Sequence, residues 1–287
     1  MTETSRKAII VGISGASSSG KTTLARLLRD VFPQTFILHE DDFYRPENEL
    51  PTKDGLLDWD CAESLNFDVM ARALEHICAE GTFPPFVDSI EDQNTVGKHT
   101  VPESSISAAK SRVEAWASPG QPGHAIFSSS SPGNNKNLLR LCILDGFLLF
   151  GPEPPLLRRI TDELLDIKLF LTVSRARATA RREARNGYVT LEGFWTDPPG
   201  YVDKIVWPNY AASHAWLFED GDVEKRLRGD VLREKDIMAF PEVIGNGAES
   251  GDGGEGEGPR LDVDMQVIFE WAVETLMWKL EEVAKKS

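Results

Sequence analysis

The sequence predicts a single domain of the α/β class, built on a doubly wound parallel sheet of about five strands. Short, almost purely apolar runs recur along the chain, and segments with apolar residues at helical spacing lie between them. Glycine-rich or acidic segments directly follow several of these runs. Ligands collect at the carboxyl ends of strands in such sheets, so these segments are the first candidates for a functional site.

The elements are predicted in chain order from these patterns. Strands are expected at residues 8–13, 35–39, 138–144, 167–173 and 215–218. Helices are expected at residues 23–29, 63–79, 175–185 and 263–285. Two segments break the pattern. Residues 82–137 are rich in Pro, Ser, Gly, Asn and Gln, and residues 222–262 are acidic and of low complexity. Both are expected to be disordered insertions, with a short helix at 105–116 inside the first.

The run Gly15-Ala-Ser-Ser-Ser-Gly-Lys-Thr22 fits the phosphate-binding pattern G-x4-G-K-[ST] and stands between a predicted strand and a predicted helix. A plain glycine-serine turn is the alternative. The context favours a P-loop, in which Lys21 reaches the β- and γ-phosphates and the Thr22 hydroxyl holds Mg²⁺. The fold is thereby expected to be of the P-loop NTPase type. The predicted nucleotide-binding residues are Gly15, Ala16, Ser17, Ser18, Ser19, Gly20, Lys21, Thr22 and Thr23.

Acidic side chains follow the predicted strands. Asp41 and Asp42 come after the second strand, Asp145 comes after the third, and Asp58 and Asp60 lie in a loop between them. Phosphoryl transfer needs Mg²⁺ and a carboxylate that orients the acceptor hydroxyl. Either aspartate of the first pair fits the carboxylate role, and Asp145 fits a magnesium ligand. The alternatives are an acidic loop that caps the next segment and an ordinary Asp-Gly turn.

Five arginines lie in the predicted helix 175–185, and three of them, Arg177, Arg181 and Arg185, share a face at four-residue spacing. A solvated basic face is the plain interpretation. Because the chain is acidic and has a P-loop, a cationic lid over the phosphates explains these arginines better. The lid region is predicted at residues 175–200. Trp59 adjoins Asp60, so its ring fits a nucleoside base while the carboxylate takes ribose hydroxyls. A packing anchor is the alternative for this tryptophan.

Composition excludes several classes of function. The net charge of −15 argues against a nucleic-acid partner or an anionic membrane surface. No run of about 18 apolar residues is present, and no membrane span or leader peptide is expected. Three cysteines, Cys61, Cys78 and Cys142, have no metal-ligand spacing and suit a reducing compartment. A cytoplasmic protein, with the nucleus as a second location, and a monomer are the expectations.

Several motifs together resemble those of the nicotinamide riboside kinases, members of the uridine-kinase-like P-loop kinases. The matching runs are Gly15–Thr22, His39-Glu-Asp-Asp-Phe-Tyr-Arg-Pro46, Gly55-Leu-Leu-Asp-Trp-Asp60, Asp145-Gly-Phe-Leu-Leu-Phe150, Pro199-Gly-Tyr-Val-Asp203 and Val206-Trp-Pro208. The P-loop is generic, and the Asp-Asp-Phe, Leu-Asp-Trp-Asp and Gly-Phe-Leu-Leu-Phe runs are far more specific. The chain departs from compact family members in its two insertions and in extra lid residues at 186–195.

The resemblance implies a role for each matched residue. Asp41 matches the base for the ribose 5′-hydroxyl, and Asp60 matches the carboxylate for the 2′- and 3′-hydroxyls. Trp59 and Tyr188 match the two sides of the nicotinamide sandwich, and Asp197 matches a carboxylate near the nicotinamide. The remaining implied residues are Asp145, which stands where the family usually has Glu at the magnesium site, and the lid arginines Arg181, Arg182 and Arg185.

The implied function is transfer of the γ-phosphate of ATP to the 5′-hydroxyl of nicotinamide riboside in NAD biosynthesis. ATP and Mg²⁺ are the implied cofactors, and a small nucleoside is the implied partner. Two alternatives stay open: a kinase for a neutral nucleoside such as uridine or cytidine, and a non-catalytic regulatory protein that uses the P-loop as a switch.

Overall fold

The computed structural model describes residues 6–89, 99–127, 139–185, 187–190, 193–245 and 261–286. Its α-helices are α1 (Lys21–Val31), α2 (Phe67–Glu80), α3 (Glu103–Trp116), α4 (His124–Phe127), α5 (Pro155–Arg159), α6 (Arg175–Glu183), α7 (Trp207–His214), α8 (Gly229–Glu234) and α9 (Met265–Lys286). Its strands are β1 (Ala8–Gly15), β2 (Thr35–His39), β3 (Thr52–Lys53), β4 (Leu56–Leu57), β5 (Arg140–Gly146), β6 (Ile167–Leu171), β7 (Tyr188–Thr190), β8 (Gly193–Trp195), β9 (Leu227–Arg228), β10 (Ile237–Ala239) and β11 (Ile244–Gly245).

The central sheet confirms the predicted doubly wound parallel architecture. Its five strands run parallel in the order β10–β6–β1–β5–β2. Every residue of β1 is buried, because its apolar run supplies side chains to both faces of the sheet. Asp145 on β5 pairs in register with Ile13 on β1 and with His39 on β2. The carboxyl ends of these three strands therefore meet at one edge, beside the start of α1.

Helices cover both faces of the sheet. Helices α1, α3 and α9 pack on one face, around Val11, Leu28 and Phe269. Helices α2, α5 and α7 pack on the other face, around Ile10 and Leu74. Residues separated by about one helical turn supply each of these apolar faces, so the helix periodicity read from the sequence is confirmed at α1, α2 and α9.

The expectation of a disordered first insertion is wrong for its residues 99–127. Helix α3 begins before the predicted short helix and packs on α1 and α9. Ala109, Val113 and Trp116 are buried there, at helical spacing on one face. The polar composition of the segment hid this stripe, because only these few residues of the helix face the core. Residues 82–89 are described too, and Phe83 and Val87 pack against the core. Residues 90–98 and 128–137 of the insertion lie outside the described residues.

The predicted fifth strand is also wrong. Residues Ala215–Leu217 form a 3₁₀ turn at the end of α7, which buries Leu217 against the core. The fifth strand of the sheet is β10, which pairs with β6. Strand β10 lies inside the acidic segment that is expected to be disordered. That expectation is wrong for residues 222–245, where β9, α8 and β10 pack on the core. Residues 246–260, the low-complexity part, lie outside the described residues.

The lid region contains the predicted helix followed by a hairpin that the sequence did not predict. Helix α6 ends at Glu183, two residues before the predicted end. Ser174 caps its first turn, since the Ser174 side chain accepts a hydrogen bond from the Arg177 N–H. Strands β7 and β8 then pair antiparallel, with Tyr188 directly opposite Trp195. The lid is therefore a helix plus a short hairpin.

Candidate active site

The loop between β1 and α1 has a conformation that only glycine tolerates at two positions. Gly15 has a φ of 147° and Gly20 has a φ of 107°, both in the left-handed range. A Cβ atom on Gly15 would lie 2.2 Å from the Leu171 carbonyl oxygen. The Ser18 and Ser19 hydroxyls are buried without a hydrogen-bond partner among the described residues. The loop thus leaves buried polar groups at the N-terminus of α1, where an anion is favoured.

One cavity joins this loop to the predicted acidic and aromatic residues. The predicted site residues that line it are Ser17, Ser18, Gly20, Lys21, Thr22, Thr23, Asp41, Trp59, Asp60, Asp145, Arg182, Arg185 and Tyr188. The predicted site residues outside its lining are Gly15, Ala16, Ser19, Arg181 and Asp197. The cavity therefore brings most of the predicted phosphate-loop residues together with the candidate acceptor side chains.

Lys21 is buried at the first turn of α1. Its Nζ donates a hydrogen bond to the Ala16 carbonyl oxygen at 2.9 Å, so the ammonium is held inside the loop. Burial lowers the pKa of Lys21, and the nearby carboxylates of Asp145 and Asp41 only partly oppose this effect. An anion in the loop would supply the charge partner that the buried ammonium needs.

Asp145 is fixed at the end of β5 by two hydrogen bonds. The Thr22 hydroxyl donates to its Oδ2 at 2.6 Å, and His39 Nδ1 lies 2.5 Å from its Oδ1. Burial alone would raise the pKa of Asp145, but His39, Thr22 and Lys21 together outweigh it and lower the pKa. The carboxylate is therefore kept ionised inside the protein, although it is almost fully buried.

The residues at this point fit a magnesium ion. The Thr22 hydroxyl and the Asp145 carboxylate are neighbouring hard oxygen donors, which is the ligand type that Mg²⁺ prefers. Among the described residues no group of three or more His, Cys, Asp or Glu side chains is arranged to hold a metal. Phosphate oxygens and water would have to complete the coordination, which is the usual arrangement for Mg²⁺ in phosphoryl transfer.

The turn after β2 places two adjacent acidic side chains, Glu40 and Asp41, in different surroundings. Asp41 lines the cavity, and burial together with the Asp145 charge raises its pKa to about 6. Glu40 points into the protein, where its Oε2 accepts a hydrogen bond from the Leu148 N–H at 3.0 Å. Burial raises the pKa of Glu40 to about 8. Asp41 can therefore be ionised at neutral pH and face a ligand, while Glu40 holds the loop that follows β5.

Arg182 connects the phosphate loop to the acceptor side of the cavity. Its guanidinium donates to both Asp60 oxygens at 3.0 and 3.2 Å, and to both Asp197 oxygens at 2.6 and 3.2 Å. A further bond reaches the Ser17 hydroxyl at 2.9 Å. Asp197 thus lies behind Arg182 instead of lining the cavity. The arginine neutralises the buried Asp60 carboxylate and the partly buried Asp197 carboxylate, and it fixes their positions.

The other two lid arginines have different surroundings. Arg181 donates to the Ser18 carbonyl oxygen at 3.1 Å and thereby ties α6 to the phosphate loop. Arg185 is exposed and lines the cavity, with its guanidinium 5.4 Å from the centre of the Tyr188 ring. Within the described part of the chain, Arg185 forms no ion pair. Of the three, Arg185 is the one whose charge is available to an incoming phosphate.

Aromatic rings form part of the cavity wall. Trp59 contacts Tyr44 edge-on at 5.1 Å and Trp195 at 5.7 Å, measured between ring centres. Tyr44 in turn stacks on Phe147 at 6.4 Å. All four rings line the cavity. Trp59 and Asp60 thus line the same cavity, and the nucleoside subsite stays a prediction.

The sequence reasoning missed Glu40, Tyr44, Phe147 and Trp195. Tyr44 and Phe147 lie inside motifs whose predicted roles rest on the aspartates alone. Trp195 stood among the extra lid residues, and the apolar alternation on either side of Gly193 was the available signal for a hairpin. Glu40 gave no signal, because nothing in a sequence tells which of three consecutive acidic residues turns inward.

A P-loop on the central strand of a parallel sheet, a basic lid and an acceptor cavity lined by carboxylates together define a P-loop kinase. The chain is 39% identical over 224 residues to the nicotinamide riboside kinase of Schizosaccharomyces pombe, covering 77% of this chain and 86% of that protein. It is 32% identical to the nicotinamide riboside kinase of Saccharomyces cerevisiae, covering 83% and 89% of the two chains. The chain belongs to the nicotinamide riboside kinase family.

A more distant relative also has this family name. Human nicotinamide riboside kinase 1 is 28% identical over 205 residues, covering 71% of this chain and 75% of that protein. No protein-family model matches the chain. A solved structure of a possible uridine kinase from Bacillus stearothermophilus aligns with a TM-score of 0.36 at 13% identity, covering 72% and 81% of the chains. That overlap is too low to carry an argument. No helix in the described ranges has the length and apolar character to span a bilayer.

Proposed function

We propose that this protein transfers the γ-phosphate of ATP to the 5′-hydroxyl of nicotinamide riboside, giving nicotinamide mononucleotide for NAD synthesis. The observation that carries the proposal is one cavity that joins a phosphate loop to Asp41 and Asp60, in a chain of this family. The three cysteines are free thiols, which agrees with a cytoplasmic site of action.

Asp41 is the proposed base. The acceptor oxygen attacks the γ-phosphorus, the bond from that phosphorus to the β,γ-bridging oxygen breaks, ADP leaves, and the hydroxyl proton passes to Asp41. A carboxylate with a pKa near 6 is ionised at neutral pH and still accepts a proton more readily than an exposed aspartate. Asp41 also orients the hydroxyl, and orientation supplies a large part of catalysis in phosphoryl transfer.

Cations surround the proposed position of the transferring phosphate. Lys21 lies in the loop and Arg185 lines the same cavity, so both can neutralise charge that develops on the phosphoryl oxygens. Thr22 and Asp145 are the residues that would hold Mg²⁺. A bound ion would offset the negative charge of the phosphate groups. Arg182 contributes through Asp60, which it holds in place for the ribose hydroxyls.

The test is ADP release by the purified full-length chain with ATP and one riboside at a time. The panel consists of nicotinamide riboside, nicotinic acid riboside, uridine, cytidine and a sample without an acceptor. We expect release to depend on nicotinamide riboside and to yield its 5′-phosphate. Preferred release with uridine or cytidine would assign a neutral-nucleoside kinase, and ADP release that no acceptor stimulates would favour a nucleotide-binding switch.

A further inference from the structure

The loop that carries Trp59 and Asp60 rests on a part of the chain that does not line the cavity. Two of the sequence motifs, at residues 199–203 and 206–208, contribute no side chain to the cavity lining. They lie behind the loop instead, where the buried Tyr201 packs with Trp59 in one apolar cluster. The chain continues from there into α7, which packs on the central sheet. Contacts from this segment can therefore hold the loop without touching a ligand.

The Tyr201 hydroxyl holds the backbone of this loop at two points. It accepts a hydrogen bond from the Trp59 N–H at 3.1 Å and donates one to the Leu57 carbonyl oxygen at 2.9 Å. These two backbone groups stand on either side of Asp58. A hydroxyl has a single proton to donate, and here that proton is used on the loop. The backbone around Asp58 is thus fixed from the side of Tyr201.

Asn209, in the first half of α7, holds the Asp58 side chain. Its Nδ2 donates to both Asp58 carboxylate oxygens, at 2.9 Å each, and its Oδ1 accepts a hydrogen bond from Lys53 Nζ at 2.7 Å. An ammonium can only donate, so Lys53 determines which end of the amide faces Asp58. Asp58 Oδ1 in turn accepts a hydrogen bond from the Asp60 N–H at 3.0 Å. A continuous series of contacts therefore runs from β3 through α7 to the backbone of Asp60.

Asp58 depends on Asn209 for its hydrogen bonds. The residue is 5% exposed, and it does not line the cavity. Among the described residues, Asn209 is the only one whose side chain donates to the Asp58 carboxylate. A buried carboxylate without hydrogen-bond partners is costly. Loss of the Asn209 amide would therefore let the Asp58 side chain turn toward water and release the Asp60 N–H.

We propose that Asn209 is a positioning residue for the acceptor, which acts through Asp58 on the backbone of Asp60. Asp60 is the carboxylate proposed for the ribose hydroxyls, and a binding group of this kind must be held to within about 0.5 Å. Arg182 holds the Asp60 carboxylate from the lid, whereas Asn209 holds the Asp60 backbone from the core. This inference rests on the proposed function, because it takes a riboside as the acceptor.

The experiment measures Asn209→Leu in the full-length protein with nicotinamide riboside and with its 2′-deoxy analogue. The KM for nicotinamide riboside should rise about 3- to 30-fold, since a displaced carboxylate forms weaker hydrogen bonds with the ribose hydroxyls. We expect kcat and the KM for ATP to stay within about 3-fold of the wild type, because the phosphate loop and Asp41 have no part in these contacts. The preference for the riboside over its 2′-deoxy analogue, as a ratio of kcat/KM values, should fall at least about 3-fold. A merely structural role would leave that ratio unchanged.

A charge swap tests the direct contact between Asn209 and Asp58. Asn209→Asp alone places a second carboxylate against Asp58 and should raise the KM at least as much as Asn209→Leu. Adding Asp58→Asn restores a donor and an acceptor at this contact, so the double variant should return the KM to within about 3-fold of the wild type. Tyr201→Phe loses only the hydroxyl that holds the same loop and should raise the KM in the same direction. Lys204→Ala, at an exposed position of the same segment, is the control and should match the wild type.

The outcomes separate this inference from the proposed function. A folded Asn209→Leu variant with the wild-type KM or an unchanged preference would overturn the inference, as would a wild type that does not distinguish the two acceptors. If Asn209→Leu melts below the assay temperature, the charge swap decides, and a double variant no better than Asn209→Asp would overturn the inference. If the wild type phosphorylates uridine instead, uridine and 2′-deoxyuridine replace the two acceptors, because the ribose is common to them. If it phosphorylates no riboside, the proposed function itself fails and the inference fails with it.

Discussion

Arg182 and Asp60 form a bidentate ion pair inside the protein, with the two nitrogen–oxygen distances at 3.0 and 3.2 Å. Both side chains are more than nine-tenths buried. Asp197 contacts the same guanidinium from another side. Since Arg182 extends from the lid and Asp60 from the loop after β4, this pair is the main charged contact that joins the lid to the acceptor side of the cavity.

Arg182→Gln should destabilise the free protein by about 3–5 kcal/mol, because it leaves the buried Asp60 carboxylate and the partly buried Asp197 carboxylate without their cation. Arg175→Gln on the same helix is the matched control. The Arg175–Asp203 pair is 2.7 Å long but exposed, with side-chain exposures of 47% and 60%. Its loss should cost less than about 1 kcal/mol. Urea denaturation followed by circular dichroism measures the free energy of unfolding of both variants. Equal decreases would mean that the buried ion pairs of Arg182 stabilise the protein no more than the exposed pair of Arg175.

Lys21→Ala should lower kcat by about 10²- to 10³-fold, the usual effect of losing one contact to charge that develops in the transition state. Lys21 lies within the phosphate loop, and its ammonium bonds only to the Ala16 carbonyl oxygen among the contacts described. Removing it also removes a buried charge, so the melting temperature should not fall. ADP release and thermal melting measure the two effects, and a folded Lys21→Ala variant with wild-type turnover would exclude the loop from catalysis.

Asp41→Asn should lower kcat by about 10²- to 10⁴-fold, with a smaller change in KM for the riboside, because an amide cannot accept the hydroxyl proton. Asp42→Asn is the control, since Asp42 is the neighbouring carboxylate and does not line the cavity. Single-turnover rates at saturating riboside measure the chemical step directly. A large loss in the Asp42 variant with little loss in the Asp41 variant would reassign the base.

The sequence predicted the elements whose signal is local and repeated. The strands at β1, β2, β5 and β6 have long apolar runs, and the phosphate loop has a fixed spacing. It failed at β10, where three residues are too few to show a period. It predicted a short helix at α3 but missed that this polar helix packs on the core through three buried residues. Both errors have one physical cause: tertiary packing selects short segments whose own propensity is weak.

The same limit applies to the candidate site. Asp41, Asp60 and Trp59, which were predicted from dense motifs, line one cavity. The contacts of Arg182 with Asp60 and Asp197 span 122 and 15 residues of chain, and no sequence spacing encodes them. The assignment of Tyr188 by resemblance placed it in the cavity but gave no information on the two guanidiniums beside its ring. Charge surroundings of this kind exist only in the folded chain.

Trp116→Ala should destabilise the protein by about 3–5 kcal/mol, the usual cost of truncating a buried tryptophan. Trp116 is 8% exposed, packs edge-on against Phe32 and Phe127, and donates its indole N–H to Glu281 Oε1 at 2.8 Å. Because α3 does not line the cavity, kcat per folded molecule should not change. Lys110→Ala, on the exposed side of α3, is the control for stability. Equal melting temperatures for both variants would restore the view that this segment contributes nothing to the core.

Glu40 should make the stability of the protein fall as the pH rises. Its pKa is about 8 in the folded state and 4.5 as the ordinary value, so the native state holds a proton that the unfolded state has lost between these two values. The free energy of unfolding decreases with pH wherever the native state binds more protons, so this contribution is greatest below pH 4.5 and is lost as the pH rises through 8.

Glu40→Gln removes that titration while keeping a side-chain oxygen that can accept the Leu148 N–H. We expect the variant to gain stability over the wild type as the pH rises from about 4.5 to 8, and to gain little more above 8, because folding of the wild type requires Glu40 to take up a proton in this interval. Glu114→Gln, on the exposed face of α3, should show no such gain. Melting temperatures of the three proteins at half-unit pH intervals provide the comparison, and the difference from wild type isolates Glu40 from the other titrating groups. A difference between wild type and Glu40→Gln that stays constant over this range would mean that Glu40 does not change its protonation there.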